Sequence, residues 1–515
     1  MNDAAMSIYG ILENIFTYSD DTAIIFTRLS FWIFFAVLLL GYSLIYKKTH
    51  VSKSLYLLLF SIFFYYKSSG MYFALLIFST TLDFFIAKGI FKLERKFWRK
   101  LLVAISVTVN LGILAYFKYS YFFVSIINDM LDTDFAVVNV FSELMNMLSG
   151  TERFDVGALI LPVGISFYTF QVLSYTIDVY RKKVEPLTNI VDFGFYVSFF
   201  PSLVAGPIVR ASEFVPQIYK AYSVTQREMW LAVFFILNGL VKKIVISDYI
   251  SLNFVDRVFD DPLLYSGFEL LMGVYGYAIQ IYCDFSGYTD IAIGVALLLG
   301  FRLPINFNSP YKAFNMQDFW HRWHISLSAW LRDYLYISLG GNRKGKIRTY
   351  INLMLTMLLG GLWHGASYKF VVWGGLHGSA LVVNRLWKER KEKPRLLRLR
   401  IPRFLLVLLT FHFVCFAWIF FRAANMEVAL GVITRIGSEF YPNIIPEVIS
   451  GYSLVFGLML AAYVIHFLPQ KFKELYRKTF VSLPVFIKIL IVVLVIFFVY
   501  QASSAELQPF IYFQF

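Results

Sequence analysis

Apolar runs of 17 or more residues recur from one end of this chain to the other, and they constrain its fold before any motif is read. A helix needs about 20 predominantly apolar residues to cross a bilayer. Inside lipid a segment must satisfy its own backbone hydrogen bonds, which leaves helices or closed barrels. The clear runs are 29–46, 71–87, 101–117, 158–180, 229–246, 404–421, 452–469 and 484–500. The stretch 267–300 holds one long helix or two, broken at Ser286-Gly287. The stretch 351–386 is broken at Gly360-Gly361 and Gly374-Gly375. The expectation is an all-α polytopic membrane protein with about eleven crossings. Composition agrees: 58% of residues are hydrophobic and only 16% charged.

The net charge of +14 does not point to nucleic acid, because of where it lies. Lys and Arg sit in short blocks between apolar runs, at 46–53, 92–100, 181–183, 342–348, 388–403 and 471–478. Cytoplasmic loops carry such an excess. The neutral or acidic pieces 1–28, 124–156, 423–451 and 501–515 then fall on the other side. Both termini are expected to be extracytoplasmic. The first run starts near Leu29 after an acidic segment, unlike the basic start of a cleaved signal peptide, and reads as a retained helix. Two cysteines, Cys283 and Cys415, supply neither a disulfide framework nor a zinc cluster.

The centre differs from the flanks. Residues 1–150 read as scaffold helices, 151–390 as a core and 391–515 as C-terminal helices with an extracytoplasmic tail, all in one membrane domain. Within the core, Pro, Gly and charges interrupt the runs. Irregular backbone at membrane depth survives where it is buried in protein or lines a wet cavity. The aromatic, amphipathic segment 315–338 is expected at the cytoplasmic interface.

Seven histidines occur, and four of them fall within this centre. His364, in GGLWHGASYKF, sits between Trp363 and Gly365, inside an apolar run and far from any loop. Ionisable groups at membrane depth are functional candidates. His321 and His324 stand at i and i+3, which on a helix brings both to one face. A catalytic zinc site needs a third protein ligand, and no HExxH or carboxylate pattern joins them, so no metal is expected. A neutral imidazole suits general-base work. Asp284 and Asp290, in CDFSGYTD, either bond backbone groups freed at the Gly287 break, or one orients a catalytic imidazole, or both polarise an acceptor channel. Arg332 and the loop NRKGKIR, with Arg343 and Lys344, are placed to meet an anionic cytoplasmic ligand. Arg332 and Asp333 are adjacent and expected to find other partners, since i and i+1 do not face one another.

FWHRWHISLSAWLRDYLYISLGG followed by LLGGLWHG resembles the signature of the membrane-bound O-acyltransferases. LPVGISFYTFQVLSYTIDVYR, AGP at 205–207, QIYCDFSGYTDIAIG and PFIYFQF are similar to its bacterial polysaccharide branch. That branch includes alginate, peptidoglycan and cellulose O-acetylating proteins, with the teichoic-acid D-alanylation protein a more distant cousin. The resemblance implies a ring of helices around a funnel and two active-site histidines, His324 and His364. His321, Asp284, Asp290, Tyr288, Trp323 and Trp363 would support them. It implies a thioester donor, acetyl-CoA or an acyl carrier, as co-substrate, with no permanently bound cofactor. The acetyl group would leave for an extracytoplasmic polysaccharide through an SGNH-like transferase or another acetyl-accepting protein. The expected location is a bacterial cytoplasmic membrane.

On this reading His364 takes a proton from the acceptor hydroxyl, and His324 shares that proton or stabilises the oxyanion. Three rivals stand beside it. A transporter also buries His and Asp in broken helices, but the internal repeats of one are not visible. A lipid or protein acyltransferase of the same superfamily would keep the histidines. An assembly scaffold would tolerate their loss.

Overall fold

The computed structural model describes residues 17–18, 24–150, 152, 154–391 and 401–503. The acidic start, most of the 388–403 basic block and most of the 501–515 tail lie outside the described residues. The described residues form helices and turns, with no strand among them. Among the described residues six helices are long and apolar enough to cross a membrane, or seven counting the bent pair Pro442–Gly451 and Ser453–Phe467. The estimate of about eleven also counts shorter runs, which fold as Leu29–Ile45, Ile165–Tyr180 and Lys346–His364.

The chain divides into two compact units, Met1–Val204 with Val209–Tyr222, and Ala205–Ile208 with Ser223–Phe515. In the first, Asp83 is fully buried on helix Phe73–Lys92. Its carboxyl accepts hydrogen bonds from Ser106, from Asn110 Nδ2 at 2.6 Å and from Thr176 Oγ1 at 2.6 Å. Those donors come from helices Lys96–Leu131 and Ile165–Tyr180. A buried polar group is costly unless hydrogen-bonded, so this carboxyl ties three helices together.

The second unit is built on the helical run Gln226–Asp260 packed against Gly267–Leu298. Each opens with a capping box, Thr225 with Glu228 and Ser266 with Glu269, which satisfies N-terminal donors reciprocally. Of the two alternatives for 267–300 the single helix holds: Gly267–Leu298 is continuous, with no break at Ser286-Gly287. Gly287 has a packing reason instead. A Cβ there would lie 2.8 Å from the Gly239 carbonyl oxygen, and one on Gly239 would lie 2.5 Å from that of Gly287. The irregular backbone is in the partner, which is π-helical over Val241–Asp248 and Ser251–Val255.

A second close pair follows, Lys346–His364 and Tyr368–Lys391. The glycine pairs expected to break this region lie inside its helices, and the chain turns at 365–367. A Cβ on Gly361 would stand 3.1 Å from the Gly374 Cα, so these glycines let two backbones meet.

Candidate active site

The first histidine is positioned by a turn. Helix Met316–Trp320 starts with the Asn315 side chain accepting from the Asp318 N–H, 2.9 Å. It stops at His321, and the chain restarts as Ile325–Trp330. Between them His324 adopts φ 42° and ψ 57°, the left-handed region. Non-glycine residues reach it at a cost of about 1–2 kcal/mol, with histidine among the more tolerant. The expectation that His321 and His324 share a helix face therefore fails. His321 is exposed, and His324 is wholly buried.

What holds the turn is Asn306, fully buried and not singled out by the sequence. Its backbone oxygen accepts from the Ile325 N–H at 3.0 Å. Its side-chain oxygen lies 3.1 Å from the Ser326 backbone N, 2.9 Å from Ser326 Oγ and 3.2 Å from His324 Nδ1. A backbone N–H can only donate, so the amide must turn its oxygen toward this cluster. His324 Nδ1 is then the protonated nitrogen, and in the neutral ring Nε2 carries the lone pair. Burial pushes the His324 imidazole below the usual histidine range, because desolvation disfavours the charged form. The residue lies outside the long apolar helices. Phe285 of helix 267–298 packs edge-on against the ring at 4.7 Å.

His364 is the last residue of its helix, so it adjoins a turn and is not far from any loop as expected. Gly365 follows in extended conformation, and a Cβ there would run into the Phe370 ring. The buried His364 ring meets Trp363 at 4.9 Å, Trp373 at 5.1 Å and Phe421 at 5.2 Å. Trp363 is also the link to the other imidazole, its ring 6.4 Å from that of His324. Both histidines thus border one buried indole.

A cavity of about 460 Å³ opens beside this cluster. Trp320, His321, Ile325, Arg332, Asn342 and Arg385 are on its lining. These include residues flanking His324, while the two buried imidazoles are not on the lining. Its volume is in the range of ligand sites.

The profile of the membrane-bound O-acyltransferase family matches residues 14–430. The chain belongs to that family. A peptidoglycan O-acetyltransferase of Helicobacter pylori is 38% identical over 435 residues, 79% of this chain and 78% of the relative. A probable alginate O-acetylase AlgI of Azotobacter vinelandii is 42% identical over 331 residues, 64% of this chain and 61% of the relative. A teichoic acid D-alanyltransferase of Bacillus subtilis is 31% identical over 278 residues, 51% of this chain and 69% of the relative. The resemblance to the polysaccharide branch therefore holds, and the chain is an O-acyltransferase, not a transporter or a scaffold.

Elsewhere in this O-acyltransferase, the structure redistributes the candidate residues. Asp284 pairs with Lys243, which also holds Asp248 at 2.9 Å. Asp290 takes Lys242 at 2.7 Å and Asn238 Nδ2 at 2.6 Å. These carboxylates form ion pairs with lysines of the neighbouring helix. Tyr288 and Trp323 are buried, the latter against Phe307 at 5.1 Å and Trp418 at 5.0 Å. Arg332 pairs with its neighbour Asp333 after all, through Nε at 2.7 Å and a second nitrogen at 3.2 Å. Both residues lie in the π-helical turn Leu331–Tyr336. Arg343 and Lys344 are exposed, and the cavity lining takes Asn342 from that loop.

The basic residue that sequence reasoning missed is Arg385, on the lining and 3.3 Å from Glu389. The hydrogen bond from Lys346, helped by Arg385, holds the Glu389 carboxyl below the usual range. No spacing connects residue 385 to 332, since the two meet only when the helices pack. Among the described residues no group of three His, Cys, Asp or Glu side chains has a metal-holding arrangement.

Proposed function

We propose that this O-acyltransferase takes an acetyl group from a cytoplasmic thioester donor, acetyl-CoA or an acyl carrier, for O-acetylation of an extracytoplasmic polysaccharide. The observation that carries the chemistry is the hydrogen bond from His324 Nδ1 to Asn306 at 3.2 Å, which leaves the lone pair on Nε2. That nitrogen is suited to accept a proton and not to donate one. The roles are therefore His324 as base and His364 as hydrogen-bond donor to the developing oxyanion, the reverse of the order read from sequence. The acceptor oxygen attacks the thioester carbonyl while its proton passes to His324 Nε2. The C–S bond then breaks, and the thiolate leaves with that proton.

The cavity beside Trp320, Arg332 and Arg385 is the proposed donor seat. Its two guanidinium groups suit a phosphorylated carrier. The acceptor is a small relay or a residue of a partner transferase, since a polymer does not readily enter an enclosed indole-lined site. Alginate and peptidoglycan are named for the relatives, and polysaccharide is the acceptor class proposed here.

The test is release of free CoA, and appearance of labelled acetyl ester, from purified protein given labelled acetyl-CoA and the partner-containing membrane fraction. His324→Ala and His364→Ala should each lower transfer by about 10²–10⁴-fold, the usual contribution of a positioned acid or base. Wild-type transfer in either folded variant would overturn the assignment.

A further inference from the structure

Away from the proposed active site, four cationic side chains converge where helix Ser453–Phe467 ends and helix Gln470–Ser482 begins. Two of them are neutralised, Lys242 by Asp290 at 2.7 Å and Arg322 by Asp318 at 2.9 Å. The other two are Lys312 and Lys473. Lys473 donates to the His466 carbonyl at 2.8 Å and to Ser309 Oγ at 2.7 Å. Lys312 donates to the Leu468 carbonyl at 2.5 Å. Among the described residues neither forms an ion pair with a carboxylate.

The bland explanation is that two lysines cap the end of helix 453–467. Charge decides against that as the whole account. A helix C-terminus carries roughly half a negative charge, and two ammonium groups bring two positive ones. Burial, and after it the nearby Lys312 and Lys242, pushes the Lys473 ammonium down to about 8. Ser309, whose hydroxyl Lys473 holds, adopts φ 46° directly before Pro310, a strained conformation for a non-glycine residue.

The surroundings indicate what the anion belongs to. Helix 470–482 exposes Phe472, Leu475 and Tyr476, at the i, i+3, i+4 spacing of one apolar face. Lys471, Arg477 and Lys478 accompany them. A basic amphipathic helix of this kind lies at the bilayer surface among phosphate headgroups.

We infer that Lys312, Lys473 and the Ser309 hydroxyl form a phosphate-binding seat, filled by the headgroup of an anionic phospholipid. The seat does not depend on the catalytic reading. It answers the excess positive charge at this helix junction.

Native mass spectrometry of the delipidated full-length protein, titrated with phosphatidylglycerol or phosphatidylcholine, tests it. The wild type should retain the anionic lipid in preference. Lys312→Gln should lower that retention roughly fivefold and Lys312→Gln with Lys473→Gln roughly thirtyfold, from about 1 kcal/mol per lysine at a membrane surface. The double arginine variant should keep it. Inorganic phosphate that displaces the lipid would assign the seat to phosphate from either source. Lipid retention unaffected by phosphate would assign it to a headgroup held together with its chains. Equal retention of both lipids by the wild type, or retention unchanged in the glutamine variants, overturns the proposal. Lys473 also holds a helix end, so if its variant fails to fold, Lys312→Gln alone decides.

Discussion

The two close helix pairs of the second unit solve one packing problem in different ways. Helices 226–260 and 267–298 approach through Gly239 and Gly287, and so do 346–364 and 368–391 through Gly361 and Gly374. The first pair then buries Lys243 among Asp248 and Asp284 and sets Lys242 on Asp290. The second pair carries imidazoles instead. His364 stands at its turn, and His377 is packed against Trp373 at 4.5 Å and Trp320 at 5.2 Å. Charge locks the first pair and shape locks the second. The imidazoles of the second pair are thus lodged among rings, while the ammonium groups of the first pair are held by carboxylates.

The largest expected effect breaks the charge lock. Lys243→Met strands two buried carboxylates, and removing one partner of a buried pair costs about 3–5 kcal/mol. The thermal melt of the purified protein should fall sharply, and Asp248→Asn with Asp284→Asn in the same chain should restore most of it. An unchanged melt in the single variant would mean that both pairs are held by shape alone.

Next comes the shape lock. Gly374→Ala drives a Cβ into the Met357 carbonyl of the facing helix, an overpacking that costs about 1–3 kcal/mol. It should lower the melt by less than Lys243→Met does. If it raised the melt, the close approach would not be what joins this pair.

The smallest effect has the opposite sign. One residue on, a Cβ at Gly375 meets only Leu358 Cδ2, at an ordinary 3.8 Å. Gly375→Ala should therefore stabilise by about 0.5–1 kcal/mol, the helix-interior penalty of glycine. A loss comparable to that of Gly374→Ala would show that the pair depends on small residues in general and not on one crossing point.

These glycines also mark where sequence reasoning stops. Apolar runs announced the helices, because lipid leaves a backbone few alternatives. Ser286-Gly287 and Gly374-Gly375 looked like breaks because glycine is a poor helix former. The property that matters, what lies opposite, belongs to another helix. The histidines of RWHISLS and GLWHG were legible through family resemblance and through the cost of burying an imidazole. Asn306 was not, because one of the two amides in PINFNSP has neither period nor partner until the 322–326 turn folds over it. The 321–324 spacing misled for the same reason. The helix ends at His321 without glycine or proline to announce it.

The left-handed backbone at His324 gives that position two duties, to supply a ring and to make a bend. Alanine removes both together. Asparagine, which also accepts such dihedral angles, would remove the ring and keep the bend, so the gap in acyl transfer between the two replacements measures how much of the site's precision resides in its main chain.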